Sequence, residues 1–83
     1  MTDEFERAVQ IRLRALADAQ RKRLPRNAPS ITKRQLLDIA VKLEWVRITA
    51  LADREQAAGN EGAATTYRTL AEVIPEVART MTP

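Results

Sequence analysis

The chain has 83 residues, no cysteine, no histidine and a formal net charge of +3. A chain of this length forms one small domain, here residues 1–83, and buries only about 60–65% of the surface that its unfolded form exposes. Without cysteine there is no disulfide or thiolate metal site, and without histidine the commonest general base and metal ligand are missing. We therefore expect no catalytic site, no metal site, no cofactor and no enzymatic activity.

The cellular location is predicted from what the sequence lacks. No apolar run approaches the length of about 20 residues that a transmembrane helix needs. The first seven residues, MTDEFER, are acidic where a signal peptide would be basic, and no long apolar segment follows them. We expect a cytoplasmic protein that does not bind a membrane.

The first element expected is a helix over about residues 3–24. Asp3 can cap its start, with Glu6 at the capping-box position. Pro25 disfavours helical geometry in the residue before it, so the helix should end near Leu24. Apolar residues recur at the helical spacing of three and four: Phe5, Val9, Leu13 and Leu16.

Residues 9–14, VQIRLR, allow a second interpretation because apolar and polar residues alternate there, as they do in a strand. A short strand followed by two helices resembles the ribbon-helix-helix family of DNA-binding proteins, in which a dimer lays a two-stranded ribbon in the major groove. The resemblance spans about residues 8–45. It implies that Gln10, Arg12 and Arg14 face the bases and that Ser30 and Thr32 lie near the phosphate backbone. We prefer the helical interpretation.

The segment RKRLPRNAPSITKRQ, residues 21–35, contains six of the fourteen basic residues and no acidic residue. It allows three interpretations: a solvated connection, a contact for nucleic-acid phosphates, or a docking site for an acidic protein. The helix dipole favours cations at the end of the first helix but disfavours Lys33 and Arg34 at the start of the second, so these two are the more suggestive of binding. The candidate binding residues are Arg21, Lys22, Arg23, Arg26, Lys33 and Arg34.

A helical hairpin is expected to follow, over about residues 32–58 and 61–81. Thr32 and Gln35 have the spacing of a capping box, and Gly59 is suited to end the second helix in a left-handed conformation. The apolar period of the third helix continues past Pro75 to Met81, which favours a kinked helix over one that stops. The predicted fold class is therefore all-α, with three helices.

The second helix carries two apolar stripes, rotated from each other by roughly 120–140° at 3.6 residues per turn. A helix that is apolar over most of its circumference must be covered on more than one side. Trp45 is predicted either as a core residue or as part of an interface, where Trp is enriched. If the first helix lies away from the hairpin, the exposed stripe would be a protein interface formed by Leu37, Val41, Trp45 and Ile48.

Three functions remain compatible with this sequence. The leading hypothesis is a small non-catalytic regulatory protein that binds a partner protein, of the kind that a phage or mobile element uses against a host protein. The second is a DNA- or RNA-binding regulator that uses the basic segment, and the third is a structural subunit of a larger assembly. We also expect a homodimer, formed most simply through the apolar stripe.

Overall fold

The computed structural model of the chain describes residues 4–25 and 30–81. It contains three helices: α1 (Glu4–Arg23), α2 (Lys33–Ala57) and α3 (Glu61–Met81). No strand occurs within these described ranges, so the fold class is all-α, as the sequence predicts. Asp3, the predicted cap of α1, and Arg26 lie outside the described residues.

The alternative prediction of a strand over residues 9–14 is wrong, because this segment lies inside α1. A strand would place Val9, Ile11 and Leu13 on one face. In the structure Val9 and Leu13 are buried, whereas Ile11 is 60% exposed. Burial at every fourth residue follows the period of a helix, and the core selects that period over the local alternation.

Local hydrogen bonds define the start of α2. The backbone N–H of Gln35 donates to the Thr32 hydroxyl over 3.1 Å, and the Thr32 N–H donates to the Gln35 side-chain oxygen over 2.9 Å. These two bonds form the predicted capping box and satisfy donors that a helix start otherwise leaves unpaired.

The turn between α2 and α3 is a Schellman motif. Asn60 N–H donates to the Glu55 carbonyl over 2.8 Å, and Gly59 N–H donates to the Gln56 carbonyl over 3.1 Å. Gly59 has a φ of 84°, which residues with a side chain rarely adopt. Because the connection is so short, α3 returns alongside α2 as an antiparallel neighbour and continues through Pro75 to Met81.

The core lies where the three helices meet. Leu13 of α1 and Ile74 of α3 are the largest fully buried side chains, and α2 contributes Leu37, Ala40 and Ile48 to the same cluster. The contact between α2 and α3 is the most extensive, and the contact between α1 and α3 is the smallest. As a result, α2 is the central helix, covered by α1 on one side and by α3 on the other.

The fold is broad and thin, with extents of 48 × 31 × 14 Å. Its radius of gyration is 14.5 Å. A compact domain of this length would have a radius of about 12 Å. None of the helices in the described residues is long and apolar enough to cross a membrane.

Candidate functional site

The four residues predicted to form a protein interface occupy different environments in the structure. Leu37 and Ile48 are buried in the core of the chain, and Val41 is half-buried against it. Trp45 is 48% exposed and does not belong to the buried core. Leu37 and Ile48 are therefore already covered by the chain's own helices, and Trp45 is the member with the largest accessible side chain.

The other predicted stripe of α2 consists of Leu36, Ile39, Ala40, Leu43, Val46, Ala50 and Ala57. Leu36 and Ala40 are buried. The exposed apolar surface lies on the remainder, and we define the outer stripe as Ile39, Leu43, Val46 and Ala50. All four residues are exposed, and Val46 reaches 59%. At about 100° per residue they fall within an arc of roughly 60°. Leu37 and Ile48 lie about 160° away on the same wheel. The outer stripe thus faces away from the core.

Trp45 lies on neither of these faces. On the helical wheel it is about 130° from the middle of the outer stripe, on the Val41 side of α2. Val41 lines a shallow cleft of about 230 Å³ together with Pro75 and Ala78 of α3. Trp45 therefore lies on the edge of α2 nearer α3, and α2 presents exposed apolar groups in two directions.

The inner face of α2 contains one carboxylate that the sequence analysis did not single out. The Glu44 side chain is only 7% exposed. Its Oε2 accepts a hydrogen bond from Arg12 Nε of α1 over 2.7 Å, and its Oε1 accepts one from Arg47 Nε over 2.7 Å. The Arg47 Nη2 adds a bond of 3.1 Å to Oε2. The carboxylate is therefore paired with two guanidinium groups and fastens α1 to α2.

These contacts determine the charge state of Glu44. Burial alone would raise its pKa, but hydrogen bonds from Arg47 and Arg12 and the charges of both groups together lower the pKa below its ordinary value. The Arg47 pKa is raised, chiefly by its hydrogen bond to Glu44. Arg12, which the strand interpretation placed against DNA bases, is thus part of the structural ion pair.

The position of Glu44 in the sequence indicates that its side chain is buried. Glu44 lies seven residues after Leu37 and four before Ile48, on the same side of the helix as both. A carboxylate at that position must be buried, and a buried carboxylate needs a cationic or hydrogen-bonding partner. Identifying Arg12 as that partner required the packing of α1 on α2.

The basic segment lies at one end of the bundle. Arg21, Lys22 and Arg23 form the exposed last turn of α1, and Lys33 and Arg34 lie in the exposed first turn of α2. A cleft of about 320 Å³ is lined by Arg21 and Lys33 together with Asp18. These five basic residues form no ion pair within the described part of the chain.

The described residues contain no cluster of three or more acidic side chains suited to hold a metal ion. The exposed apolar side chains of α2 and the basic end of the bundle therefore remain as the two candidate binding surfaces. Comparisons with protein-family models, with curated proteins and with solved structures found no match.

Proposed function

We propose that this chain is a small, non-catalytic regulatory protein that binds a partner protein through α2. The observation that supports the proposal is the exposure of four large apolar side chains on this one helix, from 38% to 59%: Ile39, Leu43, Trp45 and Val46. Single exposed apolar residues are ordinary on a protein surface, whereas a contiguous row such as Ile39, Leu43 and Val46 is typical of an interaction site. A phage or mobile-element regulator of a host protein remains the class that we propose.

The geometry of α2 supports a helix-mediated contact. Ile39, Leu43 and Val46 have the spacing i, i+4 and i+7, which presents one continuous row to a partner. Trp45 adds a large flat side chain of the type found at the centre of many interfaces. The helix beneath them is held by the capping box, the Schellman turn and the Glu44 ion pairs, so the row is displayed on a fixed element.

The experiment is affinity capture from a cell lysate with matched variants. Val46→Lys and Trp45→Lys place a charge on each of the two exposed apolar regions of α2. Ile11→Lys is the control, because Ile11 is as exposed as Val46 (60% against 59%) but lies on α1. Captured proteins should be lost with one or both α2 variants and retained with Ile11→Lys. Equal capture by all four proteins would refute binding through α2.

A second function is supported by the basic end of the bundle, where Arg21, Lys22, Arg23, Lys33 and Arg34 lie together. Such a group could neutralise nucleic-acid phosphates. With Arg26 included, six cations limit the slope of log K against log salt to about −5 per chain, at −0.9 per phosphate. Anisotropy of a fluorescent random duplex tests this. A steep slope lost on replacing Arg21, Lys22 and Arg23 supports a nucleic-acid function, and no binding at low salt excludes it.

A further inference from the structure

We propose that the outer stripe binds a second copy of this chain, so that α2 pairs antiparallel with α2 about a two-fold axis and Lys42 of each copy lies beside the partner's Asp53. This inference rests on the proposed function, because it names the partner of one part of the same surface. It leaves Trp45 outside the dimer contact, free to bind a different protein.

The pattern of large and small residues fits a self-complementary contact. The outer stripe continues to Ala57, the exposed last residue of α2. The midpoint between Ile39 and Ala57 is position 48, and an antiparallel pair centred there brings Val46 opposite the partner's Ala50. It also brings Ile39 opposite the partner's Ala57. Ile39 and Val46 thus face small residues, and Leu43 lies between the levels of the partner's Ala50 and Ala57, an arrangement that lets helices approach closely and interdigitate.

The charges beside the stripe select the antiparallel direction. Lys42 and Asp53 lie on the same edge of α2, within about 20° of each other on the wheel. In an antiparallel two-fold pair each edge meets the same edge of the other copy, and a centre at position 48 places Lys42 within about 1.5 Å, along the helix, of the partner's Asp53. A parallel two-fold pair would instead bring the edge that carries Lys42 against the partner's opposite edge, which carries Arg47, where like charges repel.

Asp53 remains able to accept such a contact. It receives one hydrogen bond from Arg68 Nη2 over 3.2 Å, and its side chain is 77% exposed. A carboxylate has about four acceptor sites, so a lysine ammonium can be added without displacing Arg68.

The edge of α2 opposite Lys42 and Asp53 also allows the two helices to approach closely. Arg47 lies on that edge near the two-fold axis, where it would meet its own copy. Its guanidinium is held by Glu44, which lies on the inner face of α2. The ion pair turns the guanidinium away from the outer stripe and partly compensates its charge, which reduces the repulsion between the two copies of Arg47.

The shape of the monomer supplies an independent reason for a second copy. Its radius of gyration of 14.5 Å exceeds the value of about 12 Å for a compact domain of this length. The 14 Å thickness shows that the fold has little depth behind α2. Pairing through α2 adds a second layer and covers the outer stripe, which α1 and α3 leave exposed.

Sedimentation equilibrium of the full chain, from about 1 µM to about 500 µM, measures the dissociation constant directly. Wild type and Ile11→Lys should show the same monomer–dimer equilibrium. Val46→Lys should raise the dissociation constant by at least about a hundredfold, since two Val46 side chains are lost per dimer. A wild-type protein that is monomeric at every concentration overturns the proposal, as does a dimer that Val46→Lys does not weaken.

Cysteine cross-linking tests whether the two α2 helices run antiparallel. Because the sequence has no cysteine, every disulfide must come from the introduced residues. Carried on one chain, Ile39→Cys and Ala57→Cys should give a disulfide-linked dimer. Ile39→Cys alone should not, because the two copies of residue 39 would lie about 27 Å apart along the helices, beyond the reach of a disulfide. A dimer cross-linked by Ile39→Cys alone overturns the antiparallel arrangement.

Charge reversal tests the edge contact. Lys42→Glu should weaken the dimer by roughly two- to fivefold, as exposed ion pairs do. Adding Asp53→Lys to Lys42→Glu should restore the wild-type constant. If the double variant binds no better than either single variant, the Lys42–Asp53 contact is wrong.

The failure of this inference differs from the failure of the proposed function. A monomer whose capture of other proteins is still lost with Val46→Lys overturns the dimer and keeps the protein-binding function. Acrylamide quenching of Trp45 adds a second distinction, because dimerisation through the outer stripe should leave Trp45 as accessible as in the monomer. Protection of Trp45 that rises with protein concentration would place the self-contact on the other side of α2.

Discussion

The inner and outer faces of α2 each depart from the usual arrangement of a surface helix, in which buried side chains are apolar and exposed ones are polar. The inner face buries a carboxylate, Glu44, and the outer face exposes Ile39, Leu43 and Val46. The buried carboxylate is paired with Arg12 and Arg47, as a buried charge requires. The exposed row has no such compensation within one chain. The comparison teaches that the chain's own helices stabilise the inner face of α2 and leave an apolar row uncovered on its outer face.

The largest expected loss of folding stability follows from truncating Ile48 on the inner face of α2. Ile48→Ala should lower the free energy of unfolding by about 2–5 kcal/mol, because it leaves a cavity among packed side chains. Urea denaturation followed by circular dichroism measures the loss. Ile48→Val, expected to cost about 0.5–1.5 kcal/mol, provides a variant that still folds if the alanine variant does not. A loss below that range for Ile48→Ala would mean that the inner face is not packed as described.

The next effect concerns the buried carboxylate. Glu44→Gln keeps the size of the side chain but removes the charge that Arg12 and Arg47 share, at an expected cost of about 1–3 kcal/mol at neutral pH. The control is Glu72→Gln, since Glu72 is an exposed carboxylate of α3. Thermal unfolding at pH 7 measures both variants, and an equal effect of the two would show that Glu44 is not a structural ion pair.

The stability of the fold should also depend on pH through Glu44. The folded-state pKa of Glu44 lies below the ordinary value of 4.5, so its contribution to stability is fully present above pH 4.5. As the pH falls through the lowered pKa, Glu44 is protonated in the folded chain as well and the contribution disappears. Wild type should therefore lose stability over this acid range more steeply than Glu44→Gln. Parallel curves for the two proteins would contradict the ion-pair account.

The smallest effect on folding is expected from the outer stripe. Val46→Ser should change the free energy of unfolding by no more than about 0.5 kcal/mol when the protein is dilute enough to be monomeric, because Val46 contacts solvent. Urea denaturation at low concentration measures this value. A large loss in the dilute monomer would show that the outer stripe belongs to the core, and the contrast between the two faces would be lost.

The sequence was sufficient to predict the local structure. The capping box at Thr32, the left-handed Gly59 and the continuation of α3 past Pro75 all depend on residues close together in the chain, and the structure confirms each of them. The helix bounds agree with the predictions to within a residue at each end. Signals of this kind depend on neighbouring residues in the chain and not on how the helices pack against each other.

The sequence was not sufficient to predict which apolar stripe of α2 is covered. Both stripes are apolar, so the periodicity of α2 gives no preferred direction. The choice depends on where α1 packs, and the Glu44–Arg12 ion pair that fixes α1 joins residues 32 positions apart. The interface prediction therefore included Leu37 and Ile48, which the structure buries, and omitted Ile39, Leu43 and Val46, which it exposes.

The Schellman turn at Gly59 also has a consequence for the order of folding. Only Ala58, Gly59 and Asn60 separate α2 from α3, whereas residues 24–32 separate α1 from α2. A shorter loop loses less chain entropy on closure, and contacts between neighbours in sequence form early. We expect the α2–α3 hairpin to form first and α1 to dock onto it later. In kinetic experiments Ala71→Gly of α3 should therefore slow refolding, while Leu13→Ala of α1 should mainly speed unfolding.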